Sequence, residues 1–124
     1  MKSRDPVIRA GAEARGRAAE TRVAAMLAEE GFACLGQRQR TPAGEIDLVV
    51  ARDGLLVFVE VKTRATLAEA AFALAPRQQA RLLAAAEAWM AAHPAEGRAG
   101  IRFDLIVVDA GGRMRRVIDA IRAA

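Results

Sequence analysis

Tyrosine is absent from this sequence, and cysteine, tryptophan and histidine occur once each. The aromatic share is 4%, so the flat rings on which single-stranded bases stack are scarce. A single cysteine, Cys34, excludes an intramolecular disulfide, and no Cys/His spacing suits a structural zinc site. That pattern fits a reducing cytosol. No apolar run approaches the length of a membrane span. The start, MKSRDPVIRAGAEARGR, has no apolar stretch long enough for a signal peptide. The expectation is a soluble, cytoplasmic protein with no membrane partner.

What is present suits one compact domain spanning 1–124, with residues 1–10 as a flexible lead. Hydrophobic residues make up 53%, but much of that is alanine, which carries little apolar area. The core therefore depends on runs of Val, Leu, Ile and Phe. Net charge is +4, and a basic domain is drawn to polyanions, of which nucleic acid is the commonest in a cell. Charge alone is equally compatible with an ordinary solvated arginine-rich face.

A first helix is expected from about Ala12 to Glu30, stopped by Gly31, with Val23, Ala24 and Leu27 on its apolar stripe. Residues 33–39 suit a short strand. GEIDLVV and LLVFVEVKT are strands rich in β-branched residues, joined through Asp53-Gly54, a strong signal for a tight hairpin turn. Residues 65–75 read as loop or helix. Pro76 opens a second helix, which runs to about Ala92 before His93-Pro94. Residues 101–108 form another strand, and a turn through Asp109–Gly112 returns the chain to a short basic strand near 113–117. IDAIRAA suits a final helical turn. The order α-β-β-β-α-β-β describes an α/β domain, a mixed sheet flanked by helices.

A two-residue turn at Asp53-Gly54 sets the hairpin register by counting outward. Asp47 then falls opposite Glu60, and Glu45 opposite Lys62, with Val49 opposite Phe58 on the same face. Ile46, Leu48, Val50, Val57, Val59 and Val61 occupy the other, wholly aliphatic face. Directly opposed Cβ atoms lie about 5 Å apart. Two carboxylates that close repel unless a proton or cation sits between them. A hard divalent ion suits them, because Mg²⁺ takes one or two carboxylates plus water and phosphate oxygens. Lys62 shares the face and can steady a phosphate oxygen or a water. The same residues also allow a plain Glu45–Lys62 ion pair on a solvated face. Against that, Asp and Glu disfavour strand interiors.

Glu20 adds to the acid group. It shares a helix face with Gly16, Val23 and Leu27, where a carboxylate is costly without a cation. An edge-of-stripe pairing with Arg17 or Arg22 is the alternative.

The segments GRAAE (16–20), GEIDLV (44–49), FVEVKTR (58–64), RQQARL (77–82) and RFDLIVV (102–108) together resemble the YraN family of small bacterial proteins. That family is similar to the Holliday-junction resolvases and the PD-(D/E)xK nucleases of the restriction endonuclease-like fold. The resemblance implies a metal-dependent endonuclease that hydrolyses DNA phosphodiester bonds, on branched or structured DNA. It implies that Asp47 and Glu60 bind Mg²⁺ or Mn²⁺, with the Val61 carbonyl as a further ligand and Glu20 joining from the first helix. Lys62 would orient the attacking water and offset transition-state charge. Gln78 matches a polar position that faces the scissile phosphate. Arg77 stands where relatives often carry Lys, which keeps the charge but changes the hydrogen-bond geometry. The resolvase likeness also implies a homodimer. The competing expectation is a nucleic-acid-binding module without turnover, in a repair or uptake assembly.

The remaining polar residues read more simply. Arg38, Arg40 and Arg64 cluster near the acid group and, with Arg77 and Arg81, are candidates for phosphate contacts. Arg113, Arg115 and Arg116 form a second basic group. His93 suits a helix C-terminus, and Cys34, Trp89 and Met90 suit packing. Asp104 lies among strand hydrophobes, where a buried, hydrogen-bonded role is expected.

Overall fold

A computed structural model describes residues 6–72 and 74–121. Helix α1 (Pro6–Glu29) is followed by strands β1 (Ala33–Thr41), β2 (Gly44–Arg52) and β3 (Leu55–Thr63). A 3₁₀ segment, Leu67–Phe72, leads to helix α2 (Pro76–Ala92), then β4 (Gly100–Val108) and β5 (Met114–Val117). α1 begins six residues earlier than Ala12, with Pro6 at its first position, where a missing N–H is harmless. Of the expected flexible lead, residues 1–5 lie outside the described residues. The ambiguous 65–75 segment resolves largely into the 3₁₀ turn. The expected final helical turn does not form over 118–121, where Asp119 takes a positive φ of 57°; residues 122–124 lie outside the described residues.

The five strands form one sheet in chain order. β1–β2 and β2–β3 are antiparallel, β3–β4 is parallel, and β4–β5 is antiparallel. The parallel step requires a long crossover, and α2 supplies it. Alternation along the strands gives the sheet two apolar faces. Leu48, Val50, Val57, Val59, Ile106 and Val108 pack under Ala19, Val23 and Leu27 of α1. Val49, Leu56 and Phe58 pack under Leu82, Ala85, Ala86 and Trp89 of α2. Phe58 anchors this second core, meeting Trp89 edge-on at 5.8 Å and stacking on Phe103 at 5.4 Å between centroids.

The turn at Asp53-Gly54 has positive φ at both central residues, 53° and 82°, as the Asp-Gly signal requires. Its register matches the counted one, with Arg52 opposite Leu55 and Val49 opposite Phe58. Cys34 differs from expectation. It is exposed, because β1 is an edge strand whose register shifts between Cys34 and Gly36.

Candidate active site

The β2–β3 ladder ends at Leu48–Val59, one residue short of the acids. Beyond it each strand follows its other neighbour. β2 stays paired with β1 to Gly44, and β3 stays paired with β4 to Thr63. The sheet is therefore split between Asp47 and Glu60. Splitting leaves the β3 amides on that side without carbonyl partners, and a buried N–H needs one. The Asp47 side chain fills the role: Val61 N donates to Asp47 Oδ2 at 2.8 Å. Ile46 changes sides with this departure. It packs with Val49 and Phe58 in the α2 core, whereas the alternation had placed it with Leu48 and Val50.

Around the split the acids and bases sort into pairs. Lys62 Nζ lies 3.1 Å from Glu60 Oε1, with both side chains mostly buried, at 18% and 14% exposure. Glu20, only 8% exposed on the inner face of α1, meets Arg38 Nε at 3.2 Å. Its partner is thus an edge-strand arginine and neither Arg17 nor Arg22. Arg38 holds a positive φ of 50°, which few non-glycine residues adopt. Glu45 lies opposite Arg40 in the β1–β2 ladder, with a loose, exposed ion pair at 3.9 Å. The alternative of a plain Glu45–Lys62 pair is not seen, because the split separates those residues and leaves each with its own neighbour.

Among the described residues no cation lies within ion-pair distance of the Asp47 carboxylate. Burial pushes its carboxyl up to about 7 from the usual 3.8, and the Glu60 charge pushes the same way. The Val61 N–H and Lys62 oppose this, while Glu20 adds to it. Glu20 is also raised, first by burial, with Arg38 opposing and with Glu45 and Glu60 reinforcing. The four acids therefore act on one another, and the local demand is for positive charge. Among the described residues no three Asp, Glu, His or Cys side chains enclose an ion by themselves. An ion held by two carboxylates, a carbonyl and solvent does not require three. The donor set fits a hard divalent cation on this ground: a half-buried aspartate with no ion-pair partner among the described residues stands next to Glu60.

The N-terminal half of the second helix passes the β1–β2 turn. Gln78 Oε1 accepts from Ala75 N at 3.2 Å and so steadies the start of α2, while its Nε2 donor has no partner among the described residues. Arg77 and Arg81 are exposed there, and the Arg81 stem lies against Gly44 at the β1–β2 turn. Arg64 follows β3, half-buried, with Nη1 on Thr63 O.

Other polar residues are structural. Arg102 grips buried Asp104 with two hydrogen bonds of 2.8 Å, and Asp119 N donates to the same carboxylate. Arg102 was not singled out in the sequence, although its i, i+2 spacing from Asp104 on a strand was the available signal. His93 caps α2, stacking on Trp89 and meeting its carbonyl at 2.7 Å. Arg116 pairs with Glu30 at 2.7 Å, tying β5 to α1. No described helix is long and apolar enough to cross a membrane.

Comparison with known proteins gives a consistent relationship. The model of the uncharacterised protein family UPF0102 matches residues 19–108, which include Glu20, Asp47, Glu60 and Lys62. A UPF0102 protein of Granulibacter bethesdensis is 52% identical over 117 residues, covering 94% of this chain and 74% of that protein. A UPF0102 protein of Acidiphilium cryptum is 52% identical over 112 residues, covering 90% of this chain and 87% of its own. One from Bradyrhizobium sp. strain ORS 278 is 47% identical over 109 residues, covering 88% and 77%.

Proposed function

The chain belongs to the uncharacterised family UPF0102, and from its split-sheet acid group we propose that it is a divalent-metal-dependent endonuclease acting on DNA, branched or structured DNA in particular. The observation that carries this reading is Asp47. Its carboxylate is half-buried, tied to Val61 N and set beside the Glu60–Lys62 pair, with no ion-pair partner among the described residues. Asp47 and Glu60, with the Val61 carbonyl and with Glu20 behind them, would hold Mg²⁺ or Mn²⁺. Such an ion supplies Lewis-acid activation of water and charge compensation at the phosphate.

The chain's own residues do the rest. The Val61 amide fixes the orientation of the Asp47 carboxylate. Lys62, anchored by Glu60, presents an ammonium that orients the attacking water and offsets charge developing on the phosphate oxygens. The Gln78 amide, Arg77 and Arg81 stand at the α2 start, where they can hold the scissile strand. Purified protein with Mg²⁺ or Mn²⁺ is expected to cut branched, duplex or single-stranded DNA. Asp47→Asn and Lys62→Ala should each lower the rate by about 100-fold or more. Cleavage that survives both substitutions removes the site assignment.

One observation favours a second reading, a DNA-binding module without turnover. The pairs Lys62–Glu60 and Arg38–Glu20 neutralise two of the acids without any metal. Calorimetric titration with Mn²⁺ separates the two readings. The nuclease takes up the ion and loses that binding in Asp47→Asn; the module takes up none and binds DNA equally well with Asp47 and Glu60 replaced.

A further inference from the structure

A cavity of about 390 Å³ opens between α1 and the ends of β3 and β4. Three arginines line it: Arg15 and Arg22 from α1, and Arg64 from the segment after β3. Arg15 and Arg22 are two helical turns apart on one face, with Ala18 and Ala19 between them. These small residues leave the floor open. Thr63 and Ala19, both in the wall, are the chain neighbours of Lys62 and Glu20, so the cavity and the acid group are built on the same two elements, α1 and β3.

The charge of the cavity is lopsided. Among the described residues none of the three arginines has an ion-pair partner. The one carboxylate in the wall, Asp109, is engaged by the backbone amides of Gly111 and Arg113 at 3.0 and 2.8 Å. Three guanidinium charges against one carboxylate leave about +2. The Arg22 guanidinium lies directly on Gly112, in the place a Cβ there would need, so the turn after β4 seats it. Arg64 Nη1 is held by the Thr63 carbonyl at 2.7 Å. Arg22 thus packs on the turn after β4, and Arg64 is tied to the end of β3, in the lining of one space. Planar guanidinium groups in that arrangement suit a tetrahedral oxyanion.

From this we infer that the cavity is a binding site for the terminal phosphate of a polynucleotide strand. A bridging phosphodiester carries one negative charge, whereas a terminal monoester carries nearly two, which matches the surplus. The volume is in the range of pockets that bury a small organic ligand, so a terminal nucleotide fits with its phosphate. Lys62 lies near the end of β3 and Arg64 follows that end by one residue, so the two are about 7 Å apart along the chain. A strand end anchored here therefore lies close to the acids. The inference rests on the reading of the protein as a nucleic-acid enzyme, and it assigns Arg15, Arg22 and Arg64 to recognition of strand ends.

The test uses the full chain in chelator, so that the acid group contributes no metal-dependent binding or cutting. Fluorescent oligonucleotides of one sequence carry a 5′-phosphate, a 3′-phosphate or hydroxyls at both ends, and affinity is read by anisotropy. One phosphorylated end is expected to bind about tenfold tighter than the hydroxyl form, and the two arms identify which end. Arg22→Ala and Arg64→Ala should each abolish that preference, and Asp47→Asn should leave it intact. Circular dichroism of the variants shows that they are folded, and Arg64→Lys should restore part of the preference. Equal affinity for all three oligonucleotides, or a preference that persists in both arginine variants, overturns the inference. Absence of binding to any of them overturns it as well. Loss of metal-dependent cleavage with end preference retained would reject the nuclease reading alone.

Discussion

Asp47 is required by the fold and also disfavoured by it. Its carboxylate satisfies the Val61 amide in the sheet split, yet its charge is destabilised by burial and by Glu60. A carboxyl raised to about 7 favours the protonated form in the folded protein. Below about pH 4 both folded and unfolded forms are protonated and nothing is lost. As pH rises towards 7 the unfolded chain ionises first, and the folded protein loses stability, by at most about 4 kcal/mol. Asparagine keeps an acceptor for Val61 without the charge. In metal-free buffer Asp47→Asn should therefore be more stable than the native protein at pH 8 and nearly equal to it at pH 4, as read by paired urea titrations. A native advantage at pH 8 would contradict the assigned electrostatics. The same logic explains why a bound cation would stabilise the native protein but not the variant.

At the scale of elements, the β2–β3 hairpin and the split at its open end work together. Five residue pairs from Arg52–Leu55 to Leu48–Val59 hold the hairpin closed, and the cores on both faces fix its register. The turn is the most sensitive point. Gly54 has φ +82°, and a Cβ there would stand 3.2 Å from that of Ala99. Gly54→Ala should destabilise the domain by about 1–2 kcal/mol in urea unfolding, through strain and crowding. It should leave Mn²⁺ binding by the surviving folded fraction unchanged, because the register is held by the flanking apolar pairs. A register slip would instead remove both stability and metal binding. Helix α2 depends on burial: Leu82, Ala85, Ala86 and Trp89 face the sheet.

For the whole molecule, the net charge of +4 and the arrangement of the arginines set the response to salt. Arg22, Arg40, Arg64, Arg77 and Arg81 lack a tight carboxylate partner among the described residues, since the one ion pair, Arg40–Glu45, is loose and exposed. Neutralising about five phosphates would lower duplex affinity roughly 500-fold between 50 and 200 mM salt. A nearly flat salt response, measured by anisotropy in chelator, would mean that these arginines do not contact the backbone. The two opposite-face cores also bind the molecule together in a way that the acid group exploits. α1 closes one face and brings Glu20; α2 closes the other and brings Gln78, Arg77 and Arg81.

Local order determined a large part of this protein. Period-two alternation, the Asp-Gly turn, Pro76 and Gly31 define the elements, and counting from the turn gives the correct hairpin register, because neighbours along the chain control those choices. Glu20, Asp47, Glu60 and Lys62 were legible as a group for the same reason: each stands at a position its element turns towards one region. Tertiary structure alone decided which charges meet. The ladder stops one pair before the acids, so Asp47 turns to the Val61 amide, Ile46 moves to the α2 core, and Lys62 pairs with Glu60 while Arg38 takes Glu20. Cys34 was misplaced because exposure depends on which strand lies at the sheet edge, and the arginine-lined cavity exists only where α1 meets the ends of β3 and β4. Ion pairs, edges and cavities depend on distances between segments remote in sequence, and those distances are set only when both faces of the sheet are packed.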